Sequence, residues 1–207
     1  MPRLLIMLGA IFCWLAPAGM AAGTFSTVVI DPGHGGHDLG QGVGGVYEKW
    51  LSLDVSIRLE KYLRAKGLKT VLTRRSDVYL GLSDRVAIAD RYATDSIFVA
   101  VHFNGSSNTG AQGLETYYYN RGGYDLAARV HRQIVPALRG INRGVKFARF
   151  HVIKNTRQTS ILVEGGFLTN AAERKRCLTG AYRQALAESI GRGIIDYRAA
   201  RRAGVAR

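Results

Sequence analysis

Cysteine is nearly absent from this 207-residue chain, which has only Cys13 and Cys177. Cys13 falls within an amino-terminal apolar run, so removal of that run leaves Cys177 alone and excludes an intramolecular disulfide. Lipidation of Cys13 is not expected, because a lipidated cysteine closes its apolar run and this one is followed by Trp14-Leu15. Cys177, among Glu173-Arg174-Lys175-Arg176, belongs to no motif and reads as an inert thiol. The apolar run Leu4 to Leu15 falls short of the roughly 20 residues needed to span a bilayer. It follows Arg3 and leads to Pro17-Ala18-Gly19-Met20-Ala21-Ala22, the pattern of a secretory signal peptide cleaved near Ala21 or Ala22. An exported chain without a stable membrane anchor is expected.

Acidic residues are scarce too, 15 against 29 lysines and arginines, for a formal charge of +14. The leader contributes only Arg3, so the mature chain stands at +13, one below the whole. Such a surface suits a polyanionic partner. The basic residues are dispersed and no nucleic-acid module is present, so nucleic acid is not expected and anionic surfaces outside the cell are. Internal repeats and low-complexity linkers are missing. At this length and with 47% hydrophobic residues, one core is the natural outcome. The expected organisation is a leader over 1–22, one catalytic-size domain over 23–197 and a basic, frayed or surface-bound tail over 198–207. A monomer is the default for one such domain.

What is present is an alternation of strand and helix patterns, which implies an α/β fold: a single layered domain whose central, mostly parallel sheet is flanked by helices. Thr27-Val28-Val29-Ile30 reads as a strand ending at Asp31. Leu51, Val55, Leu59 and Leu63 mark a helix over 49–66, stopped by Gly67. A strand over 69–73 follows, then a helix capped by Ser83 and running to about Ala93. The run over 96–101 reads as a buried strand ending on His102. Further strands are predicted over 113–119, 150–153 and 160–163, the last ending on Glu164. Helices are predicted over 125–138 and from Ala171 onward, chiefly 182–197.

Three apolar strands thus terminate on His34, His102 and Glu164, each followed closely by Gly or Asn. His34 sits in Asp31-Pro32-Gly33-His34-Gly35-Gly36, at the edge of a sheet where open α/β proteins place their chemistry. Glu48 follows the glycine-rich loop, where the first long helix should begin. Two imidazoles and a carboxylate form a standard zinc set with a fourth position open for water. A further carboxylate off the metal could take the proton from that water. Taken singly, each residue has a plainer explanation: a hydrogen-bonded histidine, a first-turn acid, a partner for one of many arginines.

The order and spacing of several segments resolve this choice. They are Val-Val-Ile-Asp-Pro-Gly-His34-Gly-Gly-His-Asp38, Tyr47-Glu48-Lys49, Leu82-Ser83-Asp84-Arg85-Val-Ala-Ile-Ala, Val101-His102-Phe-Asn104, Arg143-Gly-Val-Lys146 and Leu162-Val-Glu164-Gly-Gly-Phe167-Leu-Thr-Asn170. Together they resemble the zinc-dependent N-acetylmuramoyl-L-alanine amidases, the bacterial cell-wall hydrolases called amidase type 3, over about 27–197.

The resemblance implies Zn2+ held by His34, Glu48 and His102, with Glu164 as the catalytic carboxylate. It implies hydrolysis of the amide between N-acetylmuramic acid and L-alanine in peptidoglycan, in the periplasm or at the cell wall. A zinc peptidase acting on stem peptides and a non-catalytic wall-binding relative are the rival readings. Asp31 is expected to orient His34 or shape its turn. Asn104 is expected to fix His102 or contact substrate, and Arg157 to meet a substrate carboxylate. His37 reads as a variable loop residue rather than a ligand. Two positions depart from the family pattern, Ala100 where Ser often stands and Thr159 where Pro is usual. Members under partner control carry an inserted blocking helix, and the connection between Tyr119 and Asn142 has room for one ordinary helix only.

Overall fold

The computed structural model describes residues 24–206. The leader predicted over 1–22 lies outside the described residues. Among these, one six-stranded sheet forms the centre, in the order β4-β1-β5-β8-β6-β7. Its strands are β1 (Thr27–Pro32), β4 (Lys69–Leu72), β5 (Ser96–Asn104), β6 (Leu114–Tyr118), β7 (Asn142–Phe147) and β8 (Thr159–Phe167). β4, β1, β5 and β8 run parallel, β6 pairs antiparallel with β8, and β7 is parallel to β6. A small hairpin, β2 (Gly42–Val43) and β3 (Val46–Tyr47), precedes α1 (Glu48–Ala65).

The parallel strands are apolar on both faces because both are covered. Val28, Ile30, Val99, Val101 and Val163 face the larger core. There they meet Leu51, Val55, Leu59 and Leu63 of α1, and residues of α3 (Arg121–Leu138) and α6 (Gly180–Arg202). The alternate residues Val29, Phe98, Ala100 and Leu162 face a smaller core with Ala89 of α2 (Leu82–Asp90) and Val152 and Ile153 of α4 (His151–Asn155). The short α5 (Ala171–Cys177) completes the chain order before α6. The period of two therefore sends Asp31, His102 and Glu164 to the smaller face, where the helical cover is thin. Ala100 is fully buried in that core and Thr159 opens β8 in register with Ile97, so neither departure interrupts a strand.

Several boundaries differ from the sequence reading. Residues 150–153, expected as a strand, belong instead to α4: Val152 and Ile153 gain burial under the sheet without a ladder partner. β7 was not expected, since its polar, glycine-containing Asn-Arg-Gly-Val-Lys-Phe gains its conformation from pairing with β6 at the sheet edge. Helix α2 starts at Leu82 behind Gly81, so Ser83 lies in the first turn and caps nothing. β5 and β8 continue past His102 and Glu164 to Asn104 and Phe167, with a register shift between His102 and Asn104. α6 carries the first part of the expected tail as helix to Arg202, and Arg198 Nε donates to the Phe25 carbonyl at 3.0 Å. The connection between Tyr119 and Asn142 holds α3.

Candidate functional site

The site is assembled where β1 stops. Pro32 ends the strand, Gly33 turns the chain, and His34 adopts a left-handed φ of 60°. A β-carbon makes that conformation cost a non-glycine residue roughly 1–2 kcal/mol. Two contacts hold it: Arg85 Nη2 donates to the His34 carbonyl at 2.7 Å, and the ring Nδ1 lies 2.9 Å from Asp38 Oδ1. Gly33 is required, because a β-carbon there would collide with the His102 ring. With Nδ1 engaged by Asp38, Nε2 is turned inward toward Glu48.

Glu48 opens α1, where a carboxylate also favours the helix N-terminus. It is buried, and its Oε2 accepts from the Gln41 amide at 2.9 Å and lies 3.1 Å from His34 Nε2. Its Oε1 accepts from the Phe103 amide at 3.0 Å and lies 2.8 Å from His102 Nδ1. Burial pushes the Glu48 carboxyl upward, but the bonds and charges of His102 and His34 outweigh it and hold the group well below the usual carboxylate range. Burial lowers His34, and Glu48 and Asp38 more than reverse that, so its imidazole is raised.

Donor atoms from His34, Glu48 and His102 all lie within 4.8 Å of one another. Donors around a tetrahedral zinc stand about 3.4 Å apart, given bonds of about 2.1 Å. The His34–Glu48 and Glu48–His102 contacts of 3.1 and 2.8 Å are made to different Glu48 oxygens, Oε2 and Oε1, and one donor atom from each residue can be chosen with all three within 4.8 Å of one another. Nitrogen, nitrogen and carboxylate oxygen are a donor set that suits zinc. The three residues therefore fit such an ion.

Glu164 is the register partner of His102 on β8. Its Oε2 is buried and has no hydrogen-bond partner among the described residues. Burial, followed by the charges of Glu48 and Glu115, raises its pKa well above the ordinary carboxylate value. A cavity of about 220 Å³ opens over this row, with His34, His102 and Glu164 at its base and Leu82, Phe150 and His151 on its walls. A second cavity, about 190 Å³ beside Phe25, Ser96 and Tyr197, contains none of these groups.

The remaining expected residues fall elsewhere. Asp31 does not touch the His34 ring. It accepts from Thr73 Oγ1 and, at 2.8 Å, from Arg85 Nη1, and Arg85 also binds the Pro32 carbonyl at 2.7 Å. Asp31 thus shapes the turn through Arg85, while Asp38 meets the ring. Asn104 reaches neither His102 nor the cavity lining, because its Nδ2 donates to Glu115 at 2.8 Å. Arg157, just before β8 and at the opposite end from Glu164, is 71% exposed and bonded to Asp90, so the structure does not bring it to the site. His37 stacks on Tyr79, with centroids 4.0 Å apart, outside the donor cluster.

Sequence reasoning missed Asp38 as the ring's partner, and it missed Arg74, Arg85 and Glu115. Arg74 is buried and donates to the carbonyls of Pro32, Gly33 and Lys49 at 3.1, 2.7 and 2.8 Å, tying the loop to α1. The available signal for Glu115 was an acid at an alternate position of the apolar run Leu114 to Tyr118, on the same face as Glu164. Cys177 is fully buried, and burial pushes its thiol up to about 12, in keeping with an inert group.

Residues 28–196 match the family model described as N-acetylmuramoyl-L-alanine amidase. The N-acetylmuramoyl-L-alanine amidase LytC of Bacillus subtilis is 35% identical over 83% of the chain, and the chain spans 35% of that protein's length. The N-acetylmuramoyl-L-alanine amidase AmiC2 of Nostoc punctiforme superposes with a TM-score of 0.80 at 40% identity, covering 84% of this chain and 98% of that one. The catalytic domain of CwlV, an N-acetylmuramoyl-L-alanine amidase from Bacillus (Paenibacillus) polymyxa, also gives 0.80, at 34% identity over 84% of this chain and 98% of its own.

Proposed function

The chain belongs to the N-acetylmuramoyl-L-alanine amidase family, and from that premise we propose that it hydrolyses the amide joining N-acetylmuramic acid to L-alanine in bacterial peptidoglycan. His34, Glu48 and His102 hold zinc in this reading, and Glu164 is the catalytic carboxylate. The observation that carries it is the convergence of three donor-bearing side chains within 4.8 Å, with Glu164 beside His102 in the ladder. Zinc bound there supplies Lewis acidity and lowers the pKa of its water to roughly 7.

The protein's own groups perform the remaining work. Asp38 keeps the His34 ring turned toward Glu48, and the amides of Gln41 and Phe103 fix both Glu48 oxygens. Glu164 takes a proton from the attacking water and returns it to the departing amine of L-alanine.

Export in this reading uses residues 1–22 as a leader, so that the domain over 23–197 works in the periplasm or at the wall as a monomer, with 198–207 as a basic extension. Among the described residues no helix is long and apolar enough to cross a membrane. The excess of positive charge raises encounter rates with an anionic wall.

The test is digestion of purified peptidoglycan by zinc-loaded protein and by Glu164→Ala, with products read by mass spectrometry and zinc measured on both. Free L-alanine amines and intact muramoyl carboxylates are expected from the native protein alone, with zinc retained in the variant. Cleavage within the stem peptide would establish a peptidase instead. Binding without cleavage by the native protein would establish a non-catalytic wall binder.

A further inference from the structure

Next to the reaction centre lies a charged group that the chemistry does not use. Glu115 is buried on β6, and each of its oxygens is doubly engaged. Oε1 accepts from Arg143 Nε at 2.7 Å and Lys146 Nζ at 2.6 Å. Oε2 accepts from Asn104 Nδ2 at 2.8 Å and the Tyr117 hydroxyl at 2.6 Å. Burial raises the Glu115 carboxyl, and the donors Lys146, Tyr117 and Arg143 outweigh it, so the group is held anionic. One cation suffices to neutralise one carboxylate, yet two are supplied. The cluster carries a net charge of about +1.

That surplus faces outward. The Glu115 side chain is 3% exposed, while Arg143 and Lys146 remain 37% and 39% exposed. Arg143 bonds Glu115 through Nε only, and its two terminal nitrogens have no acceptor among the described residues. Its guanidinium lies 5.0 Å from the Phe167 ring, so its orientation is fixed from two sides. A fork of N–H groups held in this way matches the two oxygens of a carboxylate. Lys146 has donors to spare beside it.

We propose that Arg143 and Lys146, locked in place by Glu115, form a subsite for a free carboxylate of the peptide released by the reaction. This rests on the amidase reading, which supplies the peptide. Sheet geometry sets the distance: His102 pairs with Glu164, and Glu164 pairs with Glu115. Two strand spacings of about 4.8 Å place Glu115 roughly 10 Å from His102. An extended peptide rises about 3.4 Å per residue, so the subsite meets an acid two or three residues beyond the scissile amide. Charge decides which half of the substrate lies here, because the N-acetylated sugar side is neutral and an acidic stem peptide is not. Glu115 is a positioning residue in this arrangement, and Arg143 and Lys146 make the contact.

Two synthetic muramoyl-L-alanyl peptides test the proposal, identical except that the residue after L-alanine bears a free side-chain or α-carboxylate in one and the carboxamide in the other. Cleavage is followed by kcat and KM with zinc-loaded protein. Binding is followed by calorimetry on Glu164→Gln, which does not turn the peptides over. Wild type is expected to favour the carboxylate by about tenfold in KM and Kd, the size of one charge-assisted hydrogen bond, with kcat little changed. Arg143→Gln and Lys146→Met should reduce the preference to about twofold or less while the carboxamide peptide is still cleaved. Arg143→Lys keeps a cation against Glu115, so it should fold and recover part of the preference.

Equal affinity for the two peptides in the Glu164→Gln protein, or full preference in Arg143→Gln and Lys146→Met, would overturn the subsite. Loss of cleavage for both peptides by wild type, with the binding preference intact, would instead overturn the amidase reading and leave the subsite standing.

Discussion

Glu115 and Glu164 face each other across the β6–β8 ladder, and their surroundings move the two carboxyl groups in opposite directions, Glu115 below and Glu164 above the ordinary carboxylate range. Glu115 is surrounded by donors from Arg143, Lys146, Asn104 and Tyr117 and stays charged. Glu164 has an unpartnered, buried Oε2 and is pushed upward by burial and by the charges of Glu48 and Glu115. In the proposed reaction the two carboxyls on this face take different tasks, Glu115 fixing cations and Glu164 moving protons.

The Glu164 shift predicts a stability effect with a definite sign in metal-free protein. A carboxyl raised in the folded state contributes stability fully below its unfolded value and loses it as pH rises through the folded one. Glu164→Gln should therefore unfold at higher urea concentration than wild type at pH 7 to 8. The difference should vanish below the ordinary value of 4.5. Urea titrations of both metal-free proteins across pH 4 to 8 check this, and a gap that widened toward acid would contradict it.

Zinc removal has its own signature. An ion that binds only the folded state adds about 2.7 kcal/mol at one hundred times its Kd. For a domain of this size, chelation should lower Tm by roughly 5 to 10 °C and abolish cleavage, with both restored by added zinc. His34→Ala should show the lower Tm from the start and respond little to chelator. Differential scanning fluorimetry with paired activity assays measures each.

Gly40 provides a test of the loop that joins His34 to Glu48. Its φ is 65°, and a β-carbon there would approach His34 Cδ2 at 2.6 Å and Glu48 Oε2 at 2.7 Å. Gly40→Ala should displace both donors and weaken zinc binding by about 10- to 100-fold, the range seen when the surroundings of metal ligands are disturbed. Competition with a chromophoric chelator reports it. Gly44→Ala is the control: its φ of 59° carries similar strain with nothing within 4 Å.

Asp31 and Arg85 make a buried ion pair at 2.8 Å, with side-chain exposures of 1% and 2%. Asp31→Asn leaves the Arg85 charge without its partner and should cost about 3–5 kcal/mol in stability. Because Arg85 also holds the Pro32 and His34 carbonyls, zinc affinity should fall with it. Chemical denaturation and zinc titration measure the two effects, and an unchanged unfolding midpoint would refute the first.

Much of the layered fold was legible because a parallel sheet covered on both faces writes itself as short apolar runs, such as Thr27 to Ile30 and Ile97 to Val101. The helix pattern of Leu51, Val55, Leu59 and Leu63 was equally plain. Residues 150–153 and β7 were misread or missed because their conformations come from partners distant in sequence. A tetrapeptide as short as Phe150-His151-Val152-Ile153 has no intrinsic choice between strand and helix, and an edge strand with Arg, Gly and Lys acquires its form from the ladder.

The sequence alone singled out the candidates for chemistry: His34, His102 and Glu164 by type and position after apolar runs, Glu48 by its place after the glycine-rich loop, and all four by resemblance to a known family. Tertiary structure decided which groups support them. Asp38, not Asp31, meets the His34 ring, and Arg157 is drawn to Asp90 while Arg143 and Lys146 gather at Glu115. The physical reason is that a charged side chain in isolation has many possible partners. Only the crossing of β5, β8, β6 and β7 brings a buried carboxylate within bonding distance of those two cations, and no local pattern encodes that register.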